Sequence, residues 1–247
     1  MLELLQNRRT IRQYSEKEIP EALLRQLLLT ACRASTTGNM QLYSIVVTRE
    51  DAMKKRLSPA HFNQLSVVSA PIVLTFCADF NRFIKWCELN QATPGYDNFQ
   101  SFFTAAIDAL LVAEQFSVAA ESQGLGICYL GTTTYNCDQI IDILQLPKFV
   151  VPITTLTVGY PKLLPKQVDR LPYDAVVHDE RYHDYTAAQI SSLYGYKENL
   201  AENKQYIEEN GKQTLAQVFT DVRYTKENNE HFSKVLLDTI KRQGFQF

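Results

Sequence analysis

The stretch from about Phe99 to Ser122 constrains this chain more than any other. Its apolar residues, Phe102, Ala105, Ala106, Ala109, Leu110, Ala113 and Phe116, recur at helical spacing and spread beyond one narrow face. A long helix that is apolar over so much of its surface must be covered, either by a protein core or by another subunit. Its most apolar part, Ala105 to Ala113, is short and carries Asp108, so no membrane span is expected. The chain has 247 residues, of which 45% are hydrophobic. That is enough to build a core around such a helix.

The elements around it follow from local signals. Leu2 to Asn7 reads as a short helix. Pro20 suits a first helical turn, and Leu23, Leu24, Leu27 and Leu28 give a stripe that runs to about Cys32. Tyr43 to Thr48 and Ile72 to Ala78 read as strands, the second introduced by Pro71, with a helix at Asp51 to Leu57 between them. Gly124 and Gly126 stop the long helix. Ile127 to Leu130 and Val150 to Val158 read as strands on either side of a helix that Asn136 caps and that ends near Leu144. Residues 160 to 185, with Pro161, Pro165 and Pro172, are irregular. Ala187 to Asn210 and Thr214 to Arg242 read as surface helices. The order lacks regular βαβ alternation, so the expectation is α+β: a mixed, mainly antiparallel sheet flanked by helices. The expected division is 1–185 for the main domain and 186–247 for a helical extension packed on it.

The formal net charge is −2, which argues against a general nucleic-acid binder. Five cysteines without a C-x-x-C favour free thiols over a disulfide frame or a zinc site. The four histidines, His61, His178, His183 and His231, lack metal-ligand spacing. No phosphate-loop, H-E-x-x-H or G-x-S-x-G sequence occurs. The opening residues do not form a signal peptide, and the cytoplasm is the expected compartment.

Three segments carry candidate site residues. Arg8, Arg9 and Arg12, with Thr10 among them, put three guanidinium groups within five positions. Arg offers a rigid fork of donors for phosphate, and an anion would relieve the mutual repulsion. A solvated basic patch is the other reading. Ser35-Thr-Thr-Gly-Asn39 is a polar loop, either a cradle for a polar ligand or an ordinary turn. Tyr129-Leu130-Gly131-Thr132 follows a strand, and Gly131 admits close approach of a flat molecule. Lys166 and Arg170 could add cations, or could simply make a basic loop.

In this order the segments resemble the flavin-dependent nitroreductase family, most closely its oxygen-insensitive NADPH nitroreductase and NADPH–flavin oxidoreductase branch. The resemblance rests on Asn7-Arg-Arg-Thr-Ile-Arg12, Ser35-Thr-Thr-Gly-Asn-Met-Gln41, Phe76-Cys-Ala-Asp-Phe80, Ala119-Ala-Glu-Ser-Gln-Gly-Leu-Gly126, Val158-Gly-Tyr-Pro161, Arg170-Leu-Pro172 and Val177-His-Asp-Glu-Arg-Tyr182. It implies a homodimer with FMN at the subunit interface, reduced by NADPH or NADH and oxidised by nitroaromatics, quinones or free flavin. It further implies that Arg8, Arg9, Thr10 and Arg12 hold the phosphate and ribityl end. Thr36 and Asn39 would reach the flavin of the other copy. Gln64 would lie beside the ring, and Tyr129, Leu130, Gly131 and Thr132 along it, with Lys166 and Arg170 as further cations. A flavin-binding carrier or sensor is the alternative function. Two positions depart from the branch: Thr132 stands where it usually has a second glycine, and Val168 where it has a lysine. No arginine cluster in the last sixty residues matches the branch's NADPH-phosphate contact, and Lys212 is the one candidate there.

Overall fold

A computed structural model describes all residues from Met1 to Phe247. Four strands, β1 (Tyr43–Thr48), β2 (Ile72–Asp79), β3 (Gly126–Leu130) and β4 (Val150–Gly159), form one sheet in the order β1-β2-β4-β3, and every pairing is antiparallel. The helices are α1 (Leu2–Gln6), α2 (Glu21–Ala31), α3 (Asp51–Leu57), α4 (Leu65–Ser69), α5 (Asn81–Leu89), α6 (Phe99–Ser122), α7 (Cys137–Leu144), α8 (Ala187–Glu198), α9 (Ala201–Glu209), α10 (Leu215–Val218) and α11 (Lys226–Arg242). The α+β expectation holds.

The central strand β2 is buried along its whole length. Both of its faces are covered, so its sequence is a mostly apolar run, interrupted by Thr75 and ended by Asp79, rather than an alternating one. The period of two decides which layer each residue meets. Ile72, Leu74 and Phe76 join α2 and α6 through Leu24, Leu27, Ala109, Val112, Ala113 and Phe116. Val73 on the opposite face packs with Leu57, Val67, Cys128, Leu130 and Ile140 from α3, α4, β3 and α7. By length and composition alone α6 could cross a membrane, but half of its apolar window is buried inside the molecule. It is the core helix of this sheet.

The chain divides into two compact units, residues 1–166 with 232–247, and residues 167–231. The observed boundaries therefore fall at 166/167 and 231/232, not at 185/186. The reason lies in the last residues. Ile240 and Phe245 are almost fully buried among Leu42, Ala78, Phe80, Phe102 and Val151, so the end of α11 and Phe245 belong to the core of the first unit. The two helices expected after Ala187 are each broken once, at Asn199–Leu200 and between Val218 and Lys226, giving α8 to α11. Asn136 does not cap α7 with its side chain; it donates to the Ala60 carbonyl oxygen at 2.9 Å and joins two loops instead.

The N-terminal segment is seated on the edge strand β3. Ile11 N–H donates to the Ile127 carbonyl oxygen (2.9 Å), and Ser15 N–H to that of Tyr160 (2.8 Å). Gly126 and Gly159 face each other across β3 and β4. A Cβ on Gly126 would lie 2.6 Å from Ile11 Cβ, and one on Gly159 would lie 2.7 Å from Tyr14 Cδ1. The missing side chains leave the notch in which Ile11 and Tyr14 rest. Gly126 thus belongs to the strand, and Gly124, with φ of 75°, is the helix stop.

Candidate functional site

The segment from Arg8 to Arg12 meets two elements, β3 and α6. Arg8 forms ion pairs with Glu121 (Nε to Oε2, 2.6 Å) and with Glu114, two turns apart on α6. Burial pulls the Arg8 pKa down, but hydrogen bonds and charge from Glu121 and Glu114 outweigh it and leave it raised. Burial pushes the Glu121 carboxyl up, helped by the charge of Glu114, and Arg8 offsets only part of that. Glu114 also accepts from the Tyr129 hydroxyl (3.1 Å), which Ser117 contacts at 3.3 Å. Burial, chiefly, pushes the Tyr129 phenol up, so it stays protonated and remains a donor. Two of the residues expected in one site, Arg8 and Tyr129, thus share one carboxylate.

Arg9 is half-buried, and its Nε is buried with no hydrogen-bond partner. It lines a cavity of about 290 Å³ together with Asn7, Arg8, Ile11, Gly126 and Pro161. Arg12 is exposed and lies against the Cys128 thiol; burial raises that thiol's pKa and Arg12 opposes the shift. Thr10 is half-buried between the two arginines.

At the far end of β3, Leu130 is buried and Gly131 is exposed, with nothing within 4 Å of where a Cβ would stand. Thr132 Oγ1 lies 2.9 Å from His61 Nδ1 and 3.5 Å from Gln64 Nε2. Gln64 and Thr132 therefore converge. His61, which has no metal-ligand spacing in the sequence, is fully buried beside them, with its Nε2 unpartnered. Burial lowers its pKa to about 4, so it is neutral at ordinary pH. A lone histidine in an apolar–polar loop gives no sequence signal for this; only the contact with Thr132 reveals it.

Thr36 and Thr37 are tied to Asp108 of α6. Thr37 N–H and Oγ1 donate to Oδ1 at 3.0 and 3.1 Å, Leu42 N–H donates to Oδ2 at 3.2 Å, and the Thr36 hydroxyl completes the set. Asn39 is exposed with φ of 55°. Within this chain neither Thr36 nor Asn39 is tied to the Arg8 or Thr132 clusters. Lys166 ends the first unit and is exposed; Arg170 lies in the second, where its Nη1 donates to the Asp169 carbonyl oxygen (2.9 Å). Lys212, also in the second unit, is paired with Asp221 at 2.9 Å.

Comparison with known proteins sets these contacts in a lineage. The model of the Nitroreductase family matches residues 5–160. A Bacillus subtilis protein named FMN reductase (NADPH) is 31% identical over 99% of this chain and 97% of its own length. A solved structure of a Bacteroides fragilis protein, described broadly as an oxidoreductase, is 61% identical with a TM-score of 0.98, covering 99% of this chain and 100% of that one. The NfrA1 nitroreductase of Bacillus subtilis superposes with a TM-score of 0.87 at 30% identity, covering 99% and 98% of the two chains. With the arginine run, the β3 edge and the Gln64–Thr132 loop inside the matched span, this chain belongs to the nitroreductase family.

Proposed function

We propose that the protein binds FMN along the β3 edge and acts as an NAD(P)H-dependent oxidoreductase on nitroaromatics, quinones or free flavin, by a ping-pong cycle. The observation that carries this reading is Arg9. A buried, unpartnered guanidinium nitrogen in the wall of a cavity is a donor that lacks its acceptor. A phosphate oxygen supplies one, and Thr10 and Arg12 of the same segment are the further groups proposed to share the anion. Arg8 joins them when its carboxylate partners yield. Lys166 and Arg170 are the further cations of the proposed set. Tyr129, Leu130, Gly131 and Thr132 flank the ring, where the open space at Gly131 leaves room for a flat face to approach. Gln64 contacts its edge.

When bound, FMN supplies the hydride acceptance and delivery that no side chain here can provide. The chain's own work is to orient the donor and acceptor molecules and to stabilise negative charge with its arginines. A second copy completes the site through its own Thr36 and Asn39. The supporting feature is a stripe of exposed side chains on α6, Phe99, Phe103, Ile107, Leu110 and Leu111, turned away from the sheet. An apolar face of this kind is what a homodimer covers. All five cysteines are free, which suits the cytoplasm.

The test is anaerobic mixing of the purified protein with NADPH and NADH separately. A yellow protein that bleaches with either and recovers with an acceptor supports the reading. A colourless protein that FMN cannot reconstitute refutes it, and a yellow one without turnover would mark a carrier or sensor. Arg9→Ala should weaken FMN binding by about 10- to 100-fold, the equivalent of a charge-assisted hydrogen bond.

A further inference from the structure

The His61–Thr132 contact determines where one proton points. Both atoms of the pair could donate, since His61 Nδ1 and Thr132 Oγ1 lie 2.9 Å apart. The two arrangements differ in what they leave behind. If the threonine hydroxyl donated to Nδ1, the ring proton would sit on Nε2, which is buried and has no partner. A buried orphan N–H is rarer and costlier than a buried orphan lone pair. Nδ1–H therefore donates to Thr132 Oγ1. Burial keeps the ring neutral, so it carries only that one proton. The Thr132 hydroxyl hydrogen is then free of His61. The Gln64 atom that faces Thr132 Oγ1, Nε2 at 3.5 Å, is itself a donor and does not accept it. Thr132 is half-exposed, so the hydrogen turns outward, beside the open face at Gly131.

We infer that the Thr132 hydroxyl is a directed hydrogen-bond donor to the FMN ring, oriented from behind by His61. The assignment rests on the FMN reading above. His61 is a positioning residue: it touches Thr132, not the flavin. Its loop is held firmly enough for the task. Phe62 adopts a positive φ of 52°, uncommon for a bulky residue, and Asn63, which tolerates that region readily, follows at 54°. Asn136 grips the Ala60 carbonyl oxygen, and the Phe62 ring meets Tyr135 and Phe232 edge-on, at 6.4 and 6.0 Å. The loops carrying His61 and Thr132 are therefore clamped to each other.

The experiment uses the FMN-loaded enzyme and three readouts: the FMN dissociation constant, the visible absorption band of the bound flavin, and the ¹⁵N resonances of labelled histidine. Thr132→Val should weaken FMN binding about three- to tenfold, the loss of one neutral hydrogen bond, and shift the flavin band. Thr132→Ser should restore both. His61→Asn, whose amide can replace Nδ1–H, should behave as wild type, whereas His61→Leu should give an intermediate loss. The ¹⁵N spectrum should show His61 as the neutral Nδ1–H form. Unchanged affinity and band in Thr132→Val, or a His61 proton on Nε2, overturns the donor assignment while leaving FMN binding intact. Failure of the wild-type protein to take up FMN overturns the assignment and the function together.

Discussion

The long helix α6 anchors two loops by carboxylates, and the two anchors are built differently. Asp108 is almost fully buried and receives four hydrogen bonds from Thr36, Thr37 and Leu42, all neutral donors. Glu114 and Glu121, further along, are half to largely solvent-reaching in one case and partly buried in the other, and hold one cation, Arg8. The first anchor satisfies every lone pair with groups that have no other charge to meet. The second occupies a guanidinium that a phosphate would also attract. Neutral, saturated ties suit a fixed frame; charged, unsaturated ones suit a contact that can be exchanged.

Replacing the first anchor should have the largest effect. Asp108→Ala strips the 36–42 loop of its acceptors and should lower folding stability by about 3–5 kcal/mol, as read by urea unfolding. A loss under about 1 kcal/mol would mean that the loop is held by other contacts. Next comes acid, which probes a buried group bonded on one side only. His61 has a native pKa near 4, against 6.5 in the unfolded chain. Above pH 6.5 neither state is protonated, and its contribution to stability is fully present. As pH falls from 6.5 to 4 the unfolded chain takes up a proton that the native state refuses, so stability is lost across that window, by about 3 kcal/mol in all. Urea midpoints for wild type and His61→Asn, measured from pH 7 to 4, should diverge from each other by that order. Parallel curves would show that His61 titrates normally. The smallest effect belongs to the second anchor. Glu121→Gln should alter folding by about 1 kcal/mol or less. It should also raise FMN affinity roughly two- to fivefold by releasing Arg8. Weaker FMN binding in that variant would make Glu121 a support of the site, not a competitor for it.

Much of the frame was legible because its signals are local. Pro71 and a mostly apolar run mark β2, and the helical spacing of Phe102, Ala105, Ala109 and Phe116 marks α6 at the observed ends. The helices α4 and α5 were missed: α4 is five residues long, and α5 mixes Arg82, Lys85 and Glu88 with its apolar side. The site was legible only in part. Arginines at 8, 9 and 12 announce an affinity for anions, but nothing in their spacing says that two glutamates on α6, more than a hundred residues away, would engage the first of them. Gln64 and Thr132 were reached through family resemblance. His61 was out of reach, since its partner lies 71 positions further on.

The glycine notch across β3 and β4 sets the register of the whole N-terminal arm. Ile11 and Tyr14 act as two pegs in matching sockets, so the arginines on either side of Ile11 can neither slide along the sheet nor lift from it independently. In the proposed site, the placement of the arginines is consequently set by the backbone of β3 and β4 as well as by their own side chains. An added methyl group at 126 or 159 would shift the arm as a unit, altering the reach of Arg9 and Arg12 together while every ligand-facing side chain kept its identity.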